Sequence, residues 1–169
     1  MENTVYLTFT EDVATEDRNK LMPYRATRES AAFDLKAHDL KNGDSLESFH
    51  HGHYLHYLRP GERRIYRTGI RLLMNAGTHA LVLPRSGMAI KHGITVINSP
   101  GLIDSDYIDE IMVGLVNHDD QDVVISRFDR IAQILFQPYT YETELELYWD
   151  EDFESLRRDR DGGLGSTGK

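Results

Sequence analysis

Short runs in which apolar and polar residues alternate recur along this chain, and alternation at period two is the signature of half-buried strands. In the first run Val5, Leu7 and Phe9 face one way, while Tyr6, Thr8 and Thr10 face the other. Similar runs occupy residues 64–72, 78–83, 110–116, 123–126, 131–136 and 143–149. Turn-forming residues separate them: Arg59-Pro60-Gly61-Glu62, Asn75-Ala76-Gly77 and Asn117-His118-Asp119-Asp120. Helical signal is sparse. One short helix is expected from Ser86 through Ile90, closed by Gly93, with a further turn or two over residues 152–158. Many short strands with few helices point to an all-β sandwich or barrel.

A chain of 169 residues can bury one sizeable core. The net charge of −9 argues against a general nucleic-acid surface, because phosphate backbones are held by clustered Lys and Arg. A small phosphorylated ligand stays open if cations gather at one place or a metal supplies charge. The absence of cysteine removes disulfides, thiolate metal sites and cysteine nucleophiles. No apolar run approaches the length of a membrane span, and Glu2 and Asn3 stand where a signal peptide carries basic residues. A cytoplasmic protein is expected, in the host cytoplasm if the source is a phage or virus, with no membrane partner.

Residues 39–57 read as an insertion or long hairpin that holds His50, His51, His53 and His56. Such histidines can bind a transition metal, but no carboxylate or thiolate at fixed spacing completes a site. An exposed polar loop with freely titrating histidines is the simpler expectation, and a protein partner is a further one.

Five segments carry chemistry. Pro84-Arg85-Ser86-Gly87-Met88-Ala89 leaves an apolar strand and opens the short helix, where unpaired amides, Arg85 and the Ser86 hydroxyl suit an anion; a plain turn capped by Ser86 accounts for it as well. Asn98-Ser99-Pro100-Gly101-Leu102-Ile103-Asp104-Ser105-Asp106-Tyr107 sets Asp104 and Asp106 on one side of an extended segment beside Tyr107. A carboxylate there can orient and deprotonate water, and the ring can pack on a sugar, or the Asp side chains merely cap turns. Asp129 and Arg130 open the strand that continues to Gln133 and Ile134, and an ion pair between the two neighbours explains them without any function. Ala31-Ala32-Phe33-Asp34-Leu35 is modest alone. The tail Gly162-Gly163-Leu164-Gly165-Ser166-Thr167-Gly168, preceded by Arg158 and Arg160, offers amides and hydroxyls that can wrap a phosphate chain, or is linker.

Taken together and in this order, the five segments resemble the five motifs of the trimeric dUTP nucleotidohydrolases (dUTPases), from Ala31 to Gly168. The resemblance implies a jelly-roll-like β domain over residues 1–157, a flexible lid over 158–169, and a homotrimer whose active sites lie between subunits. It implies hydrolysis of dUTP to dUMP and pyrophosphate, which limits uracil in DNA and supplies dUMP for thymidylate synthesis. Asp104 would be the general base, and Asp34 would help hold hydrated Mg2+ through water. Arg85, Ser86 and Gly87 would contact phosphate, as would Gln133 from a neighbouring subunit. Asn98 with the backbone near Leu102, Ile103 and Met112 would read the uracil edge, and Tyr107 would pack under the deoxyribose. In the lid, Arg158 or Arg160 would reach the γ-phosphate, with Leu164, Gly165 and Ser166 closing over the nucleotide.

Several residues depart from the family pattern. Ala32 replaces a glycine and Phe33 a tyrosine, while Asp109 and Phe128 stand where glycine is common, so those turns must take ordinary angles or accept strain. Asp159 holds the position of an arginine and Leu164 that of an aromatic. A dCTP deaminase of the same superfamily, a preference for a modified pyrimidine and a nucleotide-gated interaction module are the competing readings.

Overall fold

The computed structural model of the chain describes residues 4–40, 48–50 and 53–140, the stretch up to residue 54 in the second hairpin by its backbone alone. The chain divides into two compact units, residues 1–139 and 140–169. The expectations for Arg158, Arg160, Leu164, Gly165, Ser166 and the run 143–149 lie outside the described residues, as does the expected boundary at 157/158.

Twelve strands build the described part: β1 (Tyr6–Phe9), β2 (Phe33–Lys36), β3 (Asp39–Leu40), β4 (Ser48–His50), β5 (His53–Leu58), β6 (Arg63–Leu73), β7 (Thr78–Leu83), β8 (Ile94–Val96), β9 (Gly101–Ile103), β10 (Glu110–Asn117), β11 (Val123–Ser126) and β12 (Arg130–Pro138). Every expected run that lies within the described residues forms a strand. In β1 the alternation is literal, with Tyr6 and Thr8 exposed while Leu7 and Phe9 are half-buried.

The strands make three antiparallel sheets, β1-β6-β10-β8 with β3 on β6, β2-β12-β7-β9, and β11-β5-β4. All three feed one core: Leu35 and Ile134 from the second sheet, Tyr66, Ile70, Ile111 and Leu115 from the first, and Leu58 and Ile125 from the third. Antiparallel sheets closed on a shared apolar interior form the all-β architecture that the alternation predicts, in the jelly-roll-like form that the resemblance implies.

Turn chemistry matches the sequence at the joints. Glu62 N donates to Arg59 O at 2.9 Å around Gly61, which has φ of 72°, and Thr78 N donates to Asn75 O at 3.1 Å after Gly77, at 83°. Asn117 is fully buried; its Nδ2 donates to Leu58 O and Gln121 O, and its Oδ1 accepts from Asp119 N, each at 2.8 Å. One polar side chain thereby ties two loops to the core.

Helices α1 (Arg18–Leu21) and α2 (Ser86–His92), with a 3-10 turn at Thr15–Asp17 before the first, complete the element list. The first is a single turn behind Asp17, an N-cap residue whose side chain makes no cap bond. The second ends, as expected, at Gly93 in the left-handed conformation with φ of 61°. Its start differs from the capping alternative, because Arg85 is the extended N-cap residue and Ser86 is already helical, with no side-chain cap bond.

The segment 39–57 also differs from a wholly exposed loop. Its end is the core strand β5, paired with β11 through Leu58↔Val123 and His56↔Ile125. His56 is only 3 % exposed and its Nδ1 lies 2.6 Å from the Tyr66 hydroxyl. Burial pushes that phenol well above its ordinary range. His50 and His53 are backbone register partners in the β4–β5 hairpin, and His51 lies outside the described residues. No described helix is long and apolar enough to cross a membrane.

Candidate active site

The sheet β2-β12-β7-β9 carries two clusters of predicted site residues, one on each side of β7. On the β9 side, Val82 of β7 pairs with Gly101 and forms a wall of a cavity of about 200 Å³. Asn98, Leu102, Ile103, Tyr107 and Met112, the five residues expected around base and sugar, line it together with Asp104, the expected general base, and with Val96 and Ile111. A Cβ on Gly101 would stand 3.3 Å from the Asn98 amide nitrogen, tighter than ordinary contact, so glycine gives that amide its place. The volume is below the 300–1,000 Å³ or so typical of drug-sized ligands and suits a pyrimidine nucleoside better than a whole triphosphate.

Asp104 does not lie on an extended segment as expected. The strand β9 ends at Ile103, and Tyr107 N donates to Asp104 O at 3.2 Å, so Asp104 opens a tight turn that brings Tyr107 back beside it. Both side chains reach solvent at the cavity mouth. The Tyr107 hydroxyl donates to Glu110 O at 3.0 Å, and burial, then the charges of Asp109 and Glu110, raise its pKa above the usual phenol value. Asp109 has no positive φ and so takes ordinary angles, whereas Phe128 has φ of 73° and accepts the strain instead.

On the β12 side a carboxylate gathers cations. Asp34 sits opposite Gln133 in the β2–β12 register and is 7 % exposed. Its Oδ1 accepts from Arg85 Nε and its Oδ2 from Arg130 Nη1, both at 3.1 Å. Arg85 Nη1 also donates to Arg130 O at 2.8 Å, and Gln133 Nε2 donates to Pro84 O at 3.0 Å. Backbone pairing therefore brings segments that are up to 96 residues apart in sequence into one knot. Ser86 and Gly87 stand next to it, exposed, with open space where a Gly87 Cβ would be.

Arg130 is the functional candidate that sequence reasoning undervalued. The expected Asp129–Arg130 ion pair is replaced: Asp129 Oδ2 accepts from Ser126 N at 2.8 Å and caps the turn before β12, which leaves Arg130 to Asp34. No local signal separates the two, since Asp129 lies in the turn before β12 and the strand begins at Arg130.

No residue of the arginine cluster lines the cavity. Among the described residues there is no group of three or more His, Cys, Asp or Glu side chains able to hold a metal ion. Each Asp34 oxygen already accepts from an arginine, which leaves lone pairs that can accept from water but no unshared carboxylate to ligate a cation directly.

Comparison with known proteins places these features in context. The family model for dUTPase matches residues 53–168. The chain is 40% identical over 151 residues to the deoxyuridine 5'-triphosphate nucleotidohydrolase of Heliobacterium modesticaldum, covering 88% of this chain and 90% of that protein. It is 38% identical to the enzyme of the same name from Nautilia profundicola, covering 90% and 94%. Among solved structures, the dUTPase from Streptococcus mutans is similar with a TM-score of 0.63 at 25% identity, over 79% of this chain and 95% of that one. A variant dUTPase of Staphylococcus bacteriophage 80alpha with dUpNHpp has a TM-score of 0.72 at 20% identity, over 99% of both. A variant of the phage phi11 dUTPase, described as coordinating a structural Mg(II) ion, has 0.64 at 16%, over 88% and 99%; at such identities the likeness is one of fold.

Proposed function

The chain belongs to the dUTPase family, and from that premise we infer that it hydrolyses dUTP to dUMP and pyrophosphate with the cavity and the arginine cluster as the two halves of its site. The observation that carries the assignment of residues is the convergence of Asn98, Asp104, Tyr107 and Met112 on one small cavity walled by Val82, Val96 and Ile111. Apolar walls suit the faces of a pyrimidine, and the Asn98 amide supplies both a donor and an acceptor for its edge. Tyr107 beneath the sugar leaves no room for a 2′-hydroxyl.

Asp104 is the general base. Its carboxylate stands at the cavity mouth, where it accepts a proton from water as that water attacks the α-phosphorus. The bond from the α-phosphorus to the bridging oxygen breaks, and pyrophosphate leaves. Charge that builds on the phosphoryl oxygens is met by Arg85, which Asp34 holds in place, with the Ser86 hydroxyl and the Gly87 amide beside it. Mg2+ fits this donor set: Asp34 would hold it through water, and the ion would offset phosphate charge.

Because cavity and cluster share no residue within one chain, a homotrimer in which one subunit's arginine cluster and Gln133 face a neighbour's cavity accounts for both halves. Arg158 or Arg160, with Leu164, Gly165 and Ser166, would close over the nucleotide as a lid. Pyrophosphate release from each deoxynucleoside and ribonucleoside triphosphate, with Mg2+ and with a chelator, tests the reading. Preference for dUTP supports it, and ammonia release from dCTP would replace it.

A further inference from the structure

The turn that carries Asp104 and Tyr107 is fastened from behind to strand β6. Arg71 Nε donates to Ile108 O at 2.7 Å. Two residues on, Glu110 Oε1 accepts from Gly69 N at 2.7 Å and Oε2 from Arg67 Nε at 2.8 Å. The Glu110 side chain is only 10% exposed, and Arg67 is in turn clamped by both oxygens of Asp12, at 2.7 and 3.0 Å.

An irregularity in β6 creates this anchor. Between the pairs Glu110↔Arg71 and Met112↔Arg67, β10 advances two residues while β6 runs through four. The surplus is absorbed at Gly69, whose φ is 70° and where a Cβ would stand 2.6 Å from Val13 Cγ2. A kinked strand leaves its amide without a ladder partner. The Glu110 carboxylate takes that amide, and the Thr68 hydroxyl takes the displaced Ile111 carbonyl at 2.6 Å.

Glu110 is also the residue whose carbonyl accepts the Tyr107 hydroxyl. Its main chain therefore fixes the ring while its side chain fixes the main chain. Rejecting one hydroxyl on a sugar is a matter of fractions of an ångström, and a ring on a short turn needs outside support to hold such a position. On the reading that this cavity takes dUTP, we propose that Glu110 and Arg71 are positioning residues that set Tyr107 against the sugar and so govern discrimination between deoxyribose and ribose. Arg67 also holds the Asp12 carboxyl well below the usual carboxylate range, so the Asp12–Arg67 clamp stays charged through neutral and mildly acid pH.

The test measures kcat and KM for dUTP and for UTP in the wild type and in Glu110→Ala, Glu110→Gln, Arg71→Leu and Tyr107→Phe. The dUTP preference in kcat/KM should fall about ten- to a hundredfold in Glu110→Ala and Arg71→Leu, mainly through a lower KM for UTP. Glu110→Gln should recover part of it, since its amide oxygen still accepts from Gly69 N. Adding Tyr107→Phe to Glu110→Ala should cost little more, because both break one linkage. Arg71 is exposed, so its replacement keeps the fold even if loss of Glu110 does not. A lower melting temperature with an unchanged dUTP to UTP ratio in both Glu110→Ala and Arg71→Leu would overturn the proposal. If the wild type releases no pyrophosphate from dUTP, the hydrolase reading fails separately; the ratio of dUpNHpp to UpNHpp binding then decides the inference by the same criterion.

Discussion

Arg85 Nε donates to Oδ1 of Asp34 at 3.1 Å, which turns a half-exposed cation into a fixed one. A guanidinium on a flexible stem loses conformational entropy when it grips phosphate; one already held by a carboxylate has lost much of it beforehand. The other oxygen of Asp34 does the same for Arg130. Replacing Asp34 with Ala should lower kcat/KM for dUTP by about a hundredfold and stability by about 1–3 kcal/mol. Steady-state rates and thermal melts separate the effects. Reduced stability with an unchanged rate per folded molecule would leave Asp34 a purely structural carboxylate.

Asp104 is predicted to matter for the chemical step and little for binding. Asp104→Asn keeps the shape of the turn, whose bond from Tyr107 N uses the backbone carbonyl, and removes the basic oxygen. Turnover should fall by about 10²–10⁴-fold, while dUpNHpp binding measured by calorimetry stays within about threefold, under 1 kcal/mol. A variant that turns over normally would send the search for the base elsewhere.

At Phe128 two effects oppose each other. A left-handed backbone costs an L-residue roughly 1–2 kcal/mol, yet the ring sits under the Lys20 ammonium and the Arg127 guanidinium, each 4.9 Å from its centroid. Phe128→Ala loses the ring and keeps the strain; Phe128→Gly loses the ring and relieves it. The Gly variant should therefore melt above the Ala variant, by about 0.5–1 kcal/mol after the entropy cost of glycine. The reverse order would mean that the turn is unstrained.

Much of this arrangement was legible because it is local. Alternation marked β1, β6, β7, β10, β11 and β12, and the stretch from Asn98 to Met112 folds back on itself into a single cavity. What stayed hidden depends on which strand lies next to which. His56 reads as a loop histidine until β5 pairs with β11 and the Tyr66 hydroxyl meets its ring. Arg130 reads as the partner of Asp129 until β12 lies beside β2 and offers Asp34. Glu110 carries no signal at all, since its work rests on a kink at Gly69 in a strand 41 residues away, and Arg71 carries none because the carbonyl it holds, that of Ile108, lies 37 residues on.

The environment of His38 makes stability depend on pH. His38 is 4 % exposed; its Nδ1 lies 3.0 Å from Arg127 Nη2 and its Nε2 lies 3.4 Å from Asp12 Oδ2. A guanidinium only donates, so Nδ1 must accept and the ring is neutral with its proton on Nε2. Burial first, and the Arg127 charge second, lower its pKa, against the opposing pull of Asp12. The unfolded chain then binds a proton that the folded protein refuses. Stability should fall as pH drops below the unfolded histidine value of about 6.5, and keep falling until the lower folded value is reached, by at most about 1.4 kcal/mol per pH unit. Asp12 and Asp17, whose pKa values Arg67 and Lys20 lower, act in a separate window, holding stability until the pH approaches the ordinary carboxylate range near 4. Melting temperatures of the wild type and His38→Gln between pH 7.5 and 3 distinguish the two limbs. The variant should lose the slope between pH 7 and 5 and keep the steep fall below 4, because the Asp12–Arg67 pair remains; equal slopes in both proteins would place the neutral-range proton on another group.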